Sequence, residues 1–118
     1  MPNNDTGSNY GYQHIYGVDN SITAGRDTAE AYGYQLGSLT ALNYLIQAEL
    51  LIHAKSGYLR TSIGNIAYGI IEKTISNMLL IGDVWSDTSN EITSLVVYAD
   101  QTGGLGVGTT ISLERLNT

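Results

Sequence analysis

Between Ser76 and Arg115 the chain repeats one pattern three times: a run of β-branched, aliphatic and aromatic residues, then a cluster of turn formers. Asn77 to Trp85 is cut by Ser86-Asp-Thr-Ser-Asn90, and Glu91 to Tyr98 runs into Ala99-Asp-Gln-Thr-Gly-Gly104. Thr109 to Arg115 then follows glycines at 103, 104, 106 and 108. Runs of this kind at short intervals predict an antiparallel all-β meander, with strands at 77–85, 91–98 and 109–115. The 14 glycines and single proline suit a sheet protein with many turns better than a helical one.

The same alternation runs upstream. In Tyr10-Gly-Tyr-Gln-His-Ile-Tyr-Gly17, Tyr10, Tyr12, His14 and Tyr16 share one face, and Gly11, Gln13, Ile15 and Gly17 share the other. Tyr10, Tyr12, His14, Ile15 and Tyr16 are therefore the candidate assembly or sugar-binding residues. The commoner role for such a strand is to cover a core edge, with His14 at the rim. Val18 to Asp27 reads as turn material, and Ala31 to Gly37 as a short strand weakened by Gly33. Leu42 to Ala54 fits a strand better than a helix. At period 2 its even positions form an unbroken apolar face, whereas Glu49 and His53 would break a helical stripe. Lys55-Ser-Gly57 then makes a hairpin turn into Tyr58–Ile63. Gly64-Asn65 interrupts, and Ile66 to Lys73 is a further extended piece or a connection.

At 118 residues and 42% hydrophobic content the chain makes one folded domain, assigned to 10–118 and preceded by a polar tail over 1–9. Such a tail has no fixed structure unless something pins it. Asn4-Asp5-Thr6 matches the N-glycosylation pattern, for which chance is the better explanation. A net charge of −6 opposes nucleic-acid binding. No apolar run approaches the roughly 20 residues of a membrane-spanning helix, and the first residues lack the pattern of a signal peptide. Cysteine is absent, so no disulfide framework exists.

No catalytic constellation stands out. Gly103-Gly-Leu-Gly-Val-Gly108 has neither a Walker lysine nor a following helix pattern, and reads as a strand connection. Asp83, Asp87, Glu91 and Asp100 bracket turns but fit no standard calcium loop. His14 and His53 lie on separate strands without a paired ligand spacing. Trp85, the only tryptophan, suits a core plug better than an exposed sugar platform. The expectation is a non-enzymatic chain with no catalytic, cofactor or metal residues and no required cofactor.

Asp83-Val-Trp-Ser-Asp-Thr-Ser-Asn-Glu-Ile-Thr-Ser-Leu95 resembles the G-L-W-S-N-T-S-A-I-T-S-I stretch of a family of tailed-phage virion structural proteins. Gly106 to Leu113 is similar to that family's last strand, although Glu114-Arg-Leu116 stands where Tyr-Gly-Ile is usual. Asn4 to Gly17 resembles the family's N-G-D-S-G-S-N-Y-S-Y-x-x-L-Y-G. The likeness covers most of the chain, with a loosely matching middle. It implies a jelly-roll-like antiparallel β-sandwich with a structural role, on a virion surface or extracellular. Family members carry two or three further strands before the N-D-x-G-S-N-Y motif, where this chain begins. Either the sandwich is naturally minimal or a neighbouring subunit completes it.

These observations lead to a self-assembling structural subunit of a fibre, tail or capsid decoration, a homo-oligomer forming a ring or helical filament. No nucleic acid or membrane insertion is expected. The N-terminal segment is the expected donated strand, with the tail through Asn9 as tether and Tyr10–Tyr16 as the strand. The alternative is a carbohydrate-binding β-sandwich module, with a glycan as partner.

Overall fold

The computed structural model describes residues 1–36, 45–71, 74–99 and 102–116. Among them the fold is all-β and contains no helix. Five strands, β1 (Tyr10–Val18), β2 (Ser21–Glu30), β3 (Leu45–His53), β4 (Arg60–Ile71) and β5 (Thr74–Trp85), form one antiparallel sheet in the order β2-β1-β5-β4-β3. A second sheet, which a sandwich requires, is not present among the described residues.

Alternation decides which side chains are covered. On the near face, Tyr12, Asp83 and Ser62 lie in one row across β1, β5 and β4, and His14, Ile81 and Gly64 in the next. Ile66, Leu79 and Ile81 are buried there under Tyr12, Tyr16, Leu50 and Tyr68. At the end of the sheet Tyr10, Tyr34 and Trp85 make a second cluster, backed by Met1, Ile52 and Ile92. Fully burying one such side chain stabilises the fold by about 1.5–3 kcal/mol, so this single covered face carries most of the hydrophobic stabilisation.

The sequence reading holds for β1, β5 and the β3–β4 hairpin, whose turn at Gly57 adopts φ +82°. Of the expected strand Leu42–Ala54, residues 42–44 lie outside the described residues, Leu45–His53 is a strand, and Ala54 lies just past its end. Four expectations are corrected. Val18–Asp27 is not a turn region: only Asp19-Asn20 turns, and Ser21 onward is β2, held by its pairing with β1 despite a polar, glycine-containing sequence. Gly64 does not interrupt β4. A Cβ at Gly64 would come within 2.2 Å of Leu50 Cδ2, so the glycine admits the neighbouring strand's leucine. Residues 31–36 are irregular, because Gly33 at φ +77° leaves the extended region. The fourth concerns the C-terminal third: 91–98 and 109–115 form no strands, and Leu95 makes only an isolated bridge to Pro2.

Candidate assembly interface

The five singled-out residues of β1 fall into three environments. Tyr10 is core: it is 2% exposed, stacks on Trp85 at 6.4 Å and meets Tyr34 edge-on at 6.2 Å. Its hydroxyl donates to the Pro2 carbonyl at 3.3 Å, and burial pushes its pKa well above the ordinary 10.0. Tyr12, His14 and Tyr16 form a half-buried strip, His14 stacking on Tyr12 at 5.4 Å and meeting Tyr16 edge-on at 5.1 Å. The imidazole lies across β2 at Gly25, where a Cβ would meet its Nε2 at 2.6 Å. Ile15 points to the opposite face and is 52% exposed.

β1 itself sits between β2 and β5, with both of its edges paired inside the chain. The expected donated strand is therefore already an internal one. The tail before it is also fixed. Asn3 N–H donates to the Ser94 carbonyl and Val96 N–H to the Met1 carbonyl, both at 2.9 Å. The Asn3 side chain reinforces this, Nδ2 donating to the Glu91 carbonyl at 2.6 Å while Oδ1 accepts from Thr93 N–H at 2.8 Å. Asp5 accepts the Trp85 indole N–H at 2.7 Å and the Asn9 amide at 2.9 Å, and these bonds hold its carboxyl below the usual 3.8.

The end of the sheet is organised by Arg60, which sequence inspection passed over. It is fully buried, and its guanidinium lies 5.6 Å from the Trp85 ring centroid. Nη1 donates to the carbonyls of Tyr58 and Asp87, and Nη2 to that of Asn90. The planar fork thereby ties the 86–90 turn to β4, a geometry that lysine does not reproduce. Tyr34 donates to the Arg60 carbonyl at 3.2 Å, and burial pushes its phenol up to about 12.

The four acids singled out do not converge. Asp83 is buried on the near face, accepting from Ser62 Oγ at 2.7 Å and Gln35 N–H at 3.3 Å. Asp87 accepts from Ser89 N–H, Asn90 N–H and the Asn90 amide. Glu91 is exposed, and Asp100 lies outside the described residues. Among the described residues no three His, Cys, Asp or Glu side chains are placed to hold a metal ion. Two strands, β5 and β4, stand between His14 on β1 and His53 on β3. Trp85 is 1% exposed and offers no platform to a sugar. The loop at Gly103 (φ +77°) and Gly108 (φ +92°) closes with Thr109 N–H donating to the Gly106 carbonyl at 3.1 Å, and no helix follows through 116.

Among the described residues, two surfaces gather exposed apolar side chains. One is segment 102–116, exposed along its length and carrying Leu105, Val107, Ile111, Leu113 and Leu116. The other is the far face of the sheet, where Ile15, Ile22, Leu51, Ile63, Met78 and Leu80 stand between 51% and 82% exposed. Compared with family models, curated proteins and solved structures, the chain matches none.

Proposed function

We propose that this chain is a non-enzymatic structural subunit of a self-assembling virion or extracellular assembly, a fibre, tail or capsid decoration built through β-strand contacts between protomers. The observation that carries this reading is segment 102–116. It is glycine-punctuated and forms neither strand nor helix, and its apolar side chains have no cover of their own: Val107 is fully exposed and Leu113 79% exposed. The sheet ends in two long edge strands, β2 and β3, whose outer edges form no strand pairing among the described residues. An edge of this kind is a template for another strand. Thr109 to Glu114 has the alternation to fill it, so the donated strand is assigned to the C-terminal segment and no longer to the N-terminal one. The resemblance of 83–95 and 4–17 to tailed-phage virion proteins points the same way.

A head-to-tail contact repeats, giving a ring or an open filament according to whether its rotation closes. Electron microscopy and light scattering on the purified chain test the reading. Rings or filaments are expected, and proline at Ile111 and Leu113, which removes two ladder donors, should abolish them while leaving Trp85 emission unchanged. A chain that stays monomeric at high concentration would overturn the proposal. Binding on a glycan array would then favour the carbohydrate-binding alternative, with the half-exposed Tyr12–His14–Tyr16 strip as its site.

A further inference from the structure

We infer that the far face of the sheet is an isologous interface, closed by the far face of a second copy about a two-fold axis parallel to the strands. The inference rests on the reading of the chain as a self-assembling subunit and names a surface which that reading leaves unassigned. Register makes the apolar side chains contiguous. Ile15 pairs with Leu80 and Ala24, Gly17 with Met78 and Ile22, Met78 with Ala67, and Ile63 with Leu51. Gln13, Asn65 and Gln47 are uncharged polar members of the same rows. At their observed exposures the six large side chains present about 700 Å² of accessible surface. That exceeds the roughly 300–600 Å² patch of an ordinary monomer and approaches the ~800 Å² that each partner brings to a standard interface.

Charge selects the occupant and its orientation. On this face Arg26 lies on edge strand β2 and Glu49 on the opposite edge strand β3, in adjacent rows and both exposed. A two-fold axis along the strands lays β2 over the partner's β3, bringing Arg26 against the partner's Glu49 twice per dimer. An in-plane axis across the strands would lay β2 over β2 and β3 over β3, so Arg26 and Glu49 would stay on opposite sides of the interface. Only the first arrangement is complementary. Because β5 is the middle strand of five, it then lies over the partner's β5 at the ~10 Å spacing of packed sheets. Leu80 faces the partner's Leu80. The result is a sandwich made of two chains, each contributing one sheet.

The chain has no cysteine, so Leu80→Cys supplies a unique thiol at an exposed position. With a short bis-maleimide, the full-length Leu80→Cys chain should give a covalent dimer. Arg26→Glu alone and Glu49→Arg alone should each weaken pairing about fivefold, and the double exchange should restore it to within about twofold. Assemblies that form normally while Leu80→Cys stays uncrosslinked would overturn the interface and leave the structural-subunit reading standing. Crosslinked dimers that never grow further would support the interface and overturn the ring or filament. Weakening by both single exchanges without recovery in the double would exclude this two-fold axis.

Discussion

Asp83 and Asp5 sit at the two ends of what a carboxylate meets in this fold, and their effects on stability have opposite signs. Burial raises the Asp83 pKa from 3.8, against the lowering effect of its bonds from Ser62 and Gln35. The folded chain therefore holds its proton more tightly than the unfolded one. Stability falls as pH rises from 3.8 through the raised value, and levels off above it. Asp5, held below 3.8 first by the Trp85 indole and then by Asn9, contributes stability above 3.8 that is lost as pH falls through its lowered value. Asp83→Asn should keep both hydrogen bonds, because the Ser62 hydroxyl can accept from an amide. It should flatten the decline above pH 4, read by urea titration on the single tryptophan. Ser62→Ala removes a donor from a buried carboxylate and should cost about 2 kcal/mol at neutral pH.

At the scale of the element, β1 and segment 109–115 depart from the roles that pattern alone assigns them: β1 is an internal strand, and 109–115 forms none. β1 joins β2 to the rest of the sheet, and Tyr10 anchors the Trp85 cluster. Deleting residues 1–17 should not yield a soluble monomer lacking only its assembly strand. It strips β2 of its partner and β5 of one edge, and exposes backbone groups worth about 1–3 kcal/mol each if left buried and unpaired. Against a total of roughly 5–15 kcal/mol, the expected outcome is loss of cooperative unfolding, measured by circular dichroism on heating. A sharp transition near that of the full chain would contradict the central placement of β1.

For the whole molecule, the proposed far-face pairing would join two chains, each with one sheet among its described residues, into a sandwich. Each copy covering another removes apolar surface from water on both, and binding to the folded form alone raises apparent stability with concentration. The unfolding midpoint should therefore climb as protein concentration rises. Leu80→Lys, which sets a charge at the two-fold axis, should remove that dependence while leaving the dilute-limit midpoint close to that of the parent. A concentration-independent midpoint in the parent chain would mean that the monomer is thermodynamically complete.

Local pattern was enough for β1, β5 and the β3–β4 hairpin, because each alternates strongly and is bounded by its own turn residues. It was also enough for Trp85 as a core plug. β2 was illegible, since Ser21-Ile-Thr-Ala-Gly-Arg-Asp-Thr-Ala-Glu30 has almost no apolar period and becomes a strand only through pairing with β1. Gly64 misled for the related reason that its meaning lies in Leu50, fourteen positions away in sequence and adjacent only across the hairpin. Arg60 gave no signal either, because its partners are backbone carbonyls that no side-chain motif reveals. Segments 91–98 and 109–115 show the converse: they carry strand pattern, yet among the described residues their one pairing is the isolated Pro2–Leu95 bridge. Alternation specifies that a segment is able to pair, whereas hydrogen-bond partners and burial, which only tertiary structure supplies, decide whether it does and with what.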